Sequence, residues 1–265
     1  MCYIMSRNSI NYGDIHILRY QANKRRFPVC KAEGILTIDK PGDWTSFDVV
    51  NFVRSRFNIP KVGHCGTLDP AATGLLVLVL GKFTSLSAKL SADDKVYSGT
   101  FKLGVETDSA DMDGEIIREC EVNVSEEEVR AACASFIGRQ MQLPPMVSAV
   151  KVGGKKLYEL ARKGIEVERE PREIEIKRLE ITRCELPECD FIMECSKGTY
   201  VRSFCSDLGK KLGCGGVLTA LRRLRSGKFS LDDAVTIDTL KTMEEPEFSS
   251  MMAKRLVTLL GEHGL

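Results

Sequence analysis

The chain offers little that would place it in a membrane, an oxidising compartment or a metalloprotein. Its longest wholly apolar run, Leu75 to Leu80, falls far short of the ~20 residues a membrane helix needs. The N-terminus has no continuous apolar segment ahead of a small-residue cleavage site, so no secretory signal is expected. Neither charge sign is in excess: 38 Lys and Arg stand against 37 Asp and Glu, and bulk charge alone names no partner. Ten cysteines are present. The group Cys184, Cys189, Cys195, Cys205 and Cys214 contains no Cys-x-x-Cys pair and has no histidine nearby. Zinc and a disulfide framework are therefore both declined, in favour of reduced thiols in a cytosolic protein. No Walker or dinucleotide fingerprint appears. The acidic stretch Thr107 to Gly114 fails as a calcium loop: with Gly114 at the invariant glycine, Cys120 falls where the bidentate Glu belongs.

What is present is ordinary globular material, 43% hydrophobic and 28% charged over 265 residues, enough for one large domain or two modest ones. Organised pattern begins at Gly34. A strand through Ile35 to Lys40 stops at Pro41-Gly42. Thr45-Ser46 then starts a helix with Val49, Phe52, Val53 and Phe57 on one face. Tyr97, Gly99, Phe101 and Leu103 share one side of a further strand. Ser125 and Glu128 make a capping box for a helix carrying Val129, Ala132, Cys133, Phe136 and Ile137. A short helix is expected over Leu157 to Arg162, strands near Ile174–Ile181 and Phe191–Cys195, and a helix over Ser203–Leu212. Strands and helices mix without strict alternation, which predicts an α+β fold: a mixed, largely antiparallel sheet with helices packed on it.

The most informative stretch is Lys61 to Gly81, which sets Asp69 between a glycine-bearing loop and a short apolar run with no second acid. A residue before proline is pushed toward extended backbone, so Asp69 is expected on a turn. Gly63 and Gly66 let the backbone pass close to something bulky. Gly74 is expected to end a short helical turn begun at Pro70, with Leu75 to Leu80 a buried strand. On spacing alone, Asp-Pro reads first as a helix N-cap, and a catalytic reading is compatible with it because a cap holds its side chain rigidly.

Positive charge is clustered although the total is neutral. Arg202, Lys210, Lys211, Arg222, Arg223, Arg225 and Lys228 face one acid, Asp207, and Lys151, Lys155, Lys156, Arg162 and Lys163 surround a Gly-Gly turn. Each cluster reads as a phosphate-facing surface or as a solvated helix face. Residues 1–30 lack periodicity and carry five basic residues against Asp14, which suits a transit peptide, a disordered basic arm or an unused upstream start.

The string Gly66-Thr-Leu-Asp-Pro-Ala-Ala-Thr-Gly74 resembles the signature of the TruB family of tRNA pseudouridine synthases. The resemblance extends from about Gly34 to about Leu240, through Lys40-Pro-Gly-Asp-Trp-Thr-Ser46, Lys95-Val-Tyr97, Gly104 to Gly114, Pro144 to Lys151, Ser196 to Arg202 and Leu221-Arg-Arg223. Pro70 to Leu76 is closer to the bacterial and organellar type than to the guide-RNA-dependent branch. The resemblance implies a pseudouridine synthase-like catalytic domain over 31–240, after an extension of 1–30. The tail 241–265 is too short for the small RNA-binding domain that bacterial members usually append.

By the same resemblance the chain isomerises uridine 55 in the T-loop of tRNA. Asp69 is the catalytic carboxylate, and Arg202 pairs with it to keep it ionised. Tyr97 stacks on the flipped base and assists the proton at C5, His64 fills or supports the space the base leaves, and Tyr200 and Leu221 line the pocket. Considered singly, His64 reads as surface, and Tyr97, Tyr200 and Leu221 as core. Attack at C1′, attack at C6 and removal of a ribose proton all remain open. The isomerisation has no net redox change and no group donor, so no cofactor or metal is expected. The protein is expected to act as a cytoplasmic monomer, or in an organelle if the leader is a transit peptide. Two rivals are an RNA-folding module without essential catalysis, and a glycoside hydrolase, which usually needs two flanking carboxylates.

Overall fold

The computed structural model describes residues 30–263 other than 149 and 162; the basic leader therefore lies almost wholly outside the described residues. In chain order the elements begin with β1 (Gly34–Lys40), α1 (Ser46–Arg56), β2 (Val62–His64), β3 (Thr73–Leu80), α2 (Ser87–Ser91) and β4 (Lys95–Leu103). There follow β5 (Val105–Thr107), β6 (Ile116–Glu119), α3 (Glu126–Ala134), β7 (Gly138–Gln142), β8 (Lys151–Val152), β9 (Lys155–Lys156) and α4 (Leu157–Ala161). The last are β10 (Arg172–Glu185), β11 (Glu188–Cys195), α5 (Val201–Leu212), β12 (Gly216–Ser226), β13 (Phe229–Ser230), β14 (Val235–Thr236), α6 (Ile237–Thr242) and α7 (Glu245–His263). The architecture is α+β, as the mixed pattern predicts.

The chain divides into two compact units. The first takes the residues up to Pro70, with Leu76–Ser87 and everything from Val235 onward. In it β14 pairs in parallel with β1, Ile38 opposite Val235, and β2 runs antiparallel to the end of β3, His64 opposite Leu78. Thr45 caps α1 with the reciprocal Thr45–Asp48 capping box, and the face this orients buries Val49, Val50, Phe52 and Val53. Those side chains join Leu36, Ile38, Leu76, Leu78 and Leu80 in one core. Helix α7 closes it: the Phe248 ring stacks on Phe57 with centroids 3.8 Å apart. Residues 245–263 are thus helical and contribute to this core.

The second unit comprises Ala71–Leu75 and Ala88–Ala234. Its sheet is antiparallel through β12, β4, β11, β10 and β7 in that spatial order, with the start of β3 added in parallel to β12. Helix α5 ends at Gly213 in the left-handed conformation (φ +79°), which glycine adopts without a Cβ clash. Its buried face brings Phe204 edge-on to Phe191 and Phe136.

Three local expectations are corrected. Gly74 does not end a helical turn; it lies inside β3 at φ +96°. A Cβ there would sit 2.4 Å from the Arg223 carbonyl oxygen, so close pairing with β12 requires glycine. The capped helix stops at Ala134, leaving Phe136 beyond it and Ile137 exposed. The segment after Gly216, which from sequence shows clustered charge and the Leu221-Arg-Arg223 motif but no strand pattern, is an 11-residue strand inside a sheet. Among the described residues no cysteine is in a disulfide.

Candidate active site

Asp69 lies in the loop between β2 and β3, half-buried and outside any helix. This removes the helix-cap reading: the following proline holds extended backbone and the chain proceeds into a strand. The loop is tied down on both sides of Asp69. On one side the fully buried Lys40 gives its ammonium to the carbonyls of Trp44 (2.6 Å), Pro41 (2.8 Å) and Pro70 (3.0 Å). Three carbonyl acceptors satisfy the three donors of a lysine that water cannot reach. On the other side, Ser46 holds Leu68. His64 ends β2, half-buried, on the same connection as Asp69. All of these belong to the first unit.

The second unit carries the remaining expected residues. Tyr97 is buried on β4, opposite Met193 of β11 and Arg223 of β12. Leu221 lies on β12 opposite Gly99. Tyr200 stands at the N-terminal boundary of α5, its backbone clamped by Gln142, which accepts from the Tyr200 amide at 2.8 Å and donates to its carbonyl at 3.0 Å. Arg202, the second residue of α5, is 3% exposed. Its guanidinium donates to the carbonyls of Ser109 (3.0 Å) and Val147 (2.7 Å) and stands 3.4 Å from the Asp111 carboxylate. The Asp111 side chain also takes a 2.5 Å bond from Ser109, so the acidic turn is organised around that arginine.

Burial revises the basic clusters. Arg202 and Arg223 are both internal, and the Arg223 Nε donates to the Leu75 carbonyl at 2.6 Å. Neither is a surface ion pair or a phosphate contact. Lys210, Lys211, Arg225 and Lys228 are exposed, as are Lys155 and Lys163 of the second cluster. At the start of the strand that carries Tyr97, burial and the neighbouring Arg223 hold the Lys95 ammonium below its usual range.

Residues 54–201 match the TruB family pseudouridylate synthase N-terminal domain, and residues 202–257 the tRNA pseudouridylate synthase B C-terminal domain. The chain is 50% identical over 231 residues to the tRNA pseudouridine synthase B of Opitutus terrae, covering 87% of this chain and 94% of that one. The chain belongs to the TruB family. The tRNA pseudouridine synthase B of Alkaliphilus oremlandii is likewise 50% identical, over 81% of this chain and 72% of that protein. Among solved structures, a Cbf5-Nop10-Gar1 complex matches with TM-score 0.63 at 27% identity, covering 88% of this chain and 57% of that chain. No helix among the described residues is long and apolar enough to cross a membrane.

Within this TruB-family chain, reading the sequence missed three residues that shape the site. From sequence, Asp111 reads as part of an acidic turn within the Gly104–Gly114 motif, and Lys40 and Ser46 as parts of a motif and a helix start. A polar side chain buried in a glycine-rich setting leaves no periodic trace; its partners are main-chain groups distant in sequence. The one available signal is Lys40 itself, a lysine set directly before the Pro41-Gly42 stop of its strand.

Proposed function

We propose that this chain isomerises the uridine at position 55 in the T-loop of tRNA to pseudouridine, with Asp69 as the catalytic carboxylate. The observation that carries the reading is an acid held half-open on a loop anchored at both flanking residues, in a chain half identical to named tRNA pseudouridine synthases. The C1′–N1 glycosidic bond breaks, the base turns, and a C1′–C5 bond forms. The proton on C5 leaves and N1 gains one, so the reaction balances without a redox partner or group donor. A uridine folded into a loop must first be extruded, at a cost of a few kcal/mol.

Arg202 keeps Asp69 ionised, since a nearby guanidinium favours the charged carboxylate. Tyr97 stacks on the everted base, His64 supports the space it leaves, and Tyr200 and Leu221 line the pocket. The exposed lysines and arginines named above contact RNA phosphates, and recognition reads loop shape more than duplex sequence. The protein works as a cytoplasmic monomer, with RNA contacts from the catalytic domain, 31–240.

The test is Asp69→Asn in the full chain. Tritium release from 5-tritiated uridine in an unmodified tRNA transcript should vanish while tRNA binding persists. Turnover at the unaltered rate would refute the assignment. Restored tRNA folding by the dead variant would show that an RNA-folding role is carried independently of catalysis.

A further inference from the structure

The geometry points to Ser46 as a positioning residue for catalysis, its hydroxyl setting the backbone that aims Asp69. This inference rests on the reading of Asp69 as the reacting carboxylate.

Ser46 is the first residue of α1 and is 2% exposed. Its Oγ accepts from the Leu68 amide at 2.8 Å and donates to the Leu68 carbonyl at 3.1 Å. One hydroxyl thus satisfies both main-chain groups of the residue immediately before Asp69, as a neighbouring strand would. No strand does this here, because the backbone between His64 and Thr73 is irregular. Leu68 is itself 4% exposed, so without Ser46 its two polar groups would have no ready access to water.

The hydroxyl is placed from behind by the helix. Thr45 accepts from the Asp48 amide at 3.0 Å, and the Asp48 carboxylate takes 2.9 Å and 2.6 Å bonds from the Thr45 amide and hydroxyl. That box fixes the first turn of α1, and α1 is locked by its buried face. The line of support therefore runs from core to helix start, to Leu68, to Asp69. Lys40 completes it beyond Asp69 by holding the Pro70 carbonyl. Asp69 is the half-buried residue between two anchored neighbours, which lets a loop residue be as well placed as one on a rigid element. A shift of about 1 Å in a reacting group can cost on the order of 100-fold in rate.

The experiment compares Ser46→Ala, Ser46→Thr and Asp69→Asn in the full chain, by single-turnover tritium release, tRNA binding and thermal unfolding. Ser46→Ala should lower the rate at saturating tRNA by about 10- to 100-fold, with tRNA affinity within about twofold of the parent. Ser46→Thr keeps the hydroxyl and should recover most of the lost rate. If Ser46→Ala does not fold, Ser46→Cys is read instead: its poorly donating thiol should give the same loss in rate at unchanged affinity. A Ser46→Ala or Ser46→Cys rate equal to the parent, beside an inactive Asp69→Asn, overturns the inference. So does a loss that merely tracks the unfolded fraction. An active Asp69→Asn overturns the underlying reading of the site instead.

Discussion

Replacing Gly74 by alanine probes the junction where β3 meets β12. The site is opposite Arg223 at φ +96°. A side chain held at positive φ costs roughly 1–2 kcal/mol. The new Cβ would stand 2.4 Å from the Arg223 carbonyl oxygen and 2.8 Å from its amide nitrogen, both backbone atoms that cannot swing aside. Relieving that overlap separates the strands by the better part of an ångström, and losing the buried main-chain bonds there costs a further ~1–3 kcal/mol. The sum, about 2–5 kcal/mol, is a large share of the ~5–15 kcal/mol that holds an ordinary domain together. In a chain of this size it should lower the melting temperature by about 10 °C. Urea unfolding followed by circular dichroism measures it. Gly153→Ala is the control: its φ is +58° with nothing within 4 Å of the added carbon, so only backbone strain remains. A Gly74→Ala penalty below about 1 kcal/mol, or no larger than the control's, would refute the close-approach argument.

Arg202→Lys keeps the charge but loses the planar fork that reaches Ser109, Val147 and Asp111 together, so activity should fall at least tenfold in the tritium-release assay; an unaltered rate would show that only charge matters. Tyr97→Phe removes a hydroxyl from a buried ring and should leave tRNA affinity intact while slowing turnover; unchanged turnover would reduce Tyr97 to stacking. Burial pushes the Cys133 and Cys195 thiols from the ordinary 9.0 up to about 12. Between those values the unfolded thiols ionise while the folded ones keep their protons, so stability should fall as pH rises above about 9, by ~1.4 kcal/mol per pH unit for each thiol. Urea midpoints at pH 8 and pH 10 check this, and a Cys133→Ala, Cys195→Ala double variant should flatten the slope. Pairwise replacement of Lys210 and Lys211 by alanine should weaken tRNA binding and reduce its salt dependence if both face phosphate; an unchanged salt slope would return them to ordinary surface.

The Ser125–Glu128 capping box, the helix start at Thr45-Ser46 and the apolar face of α1 were legible from sequence because each is a local device whose partners lie within a turn or two. Asp69 was legible for another reason: its neighbours form a contiguous motif that resembles a family's, and a proline alone keeps it out of a helix. The charged strand β12 was not, since Arg222, Arg223 and Arg225 break the apolar pattern that marks a buried strand.

The amino-acid order by itself determined the α+β class, the family resemblance and which acid to suspect, because periodicity, turn chemistry and motif are written between near neighbours. Only the tertiary structure decided that Arg202 and Arg223 are internal and that Lys40 and Ser46 grip the residues flanking Asp69. Those facts rest on hydrogen bonds to main-chain carbonyls and amides, groups every residue carries, so no side-chain pattern could announce which ones would be met.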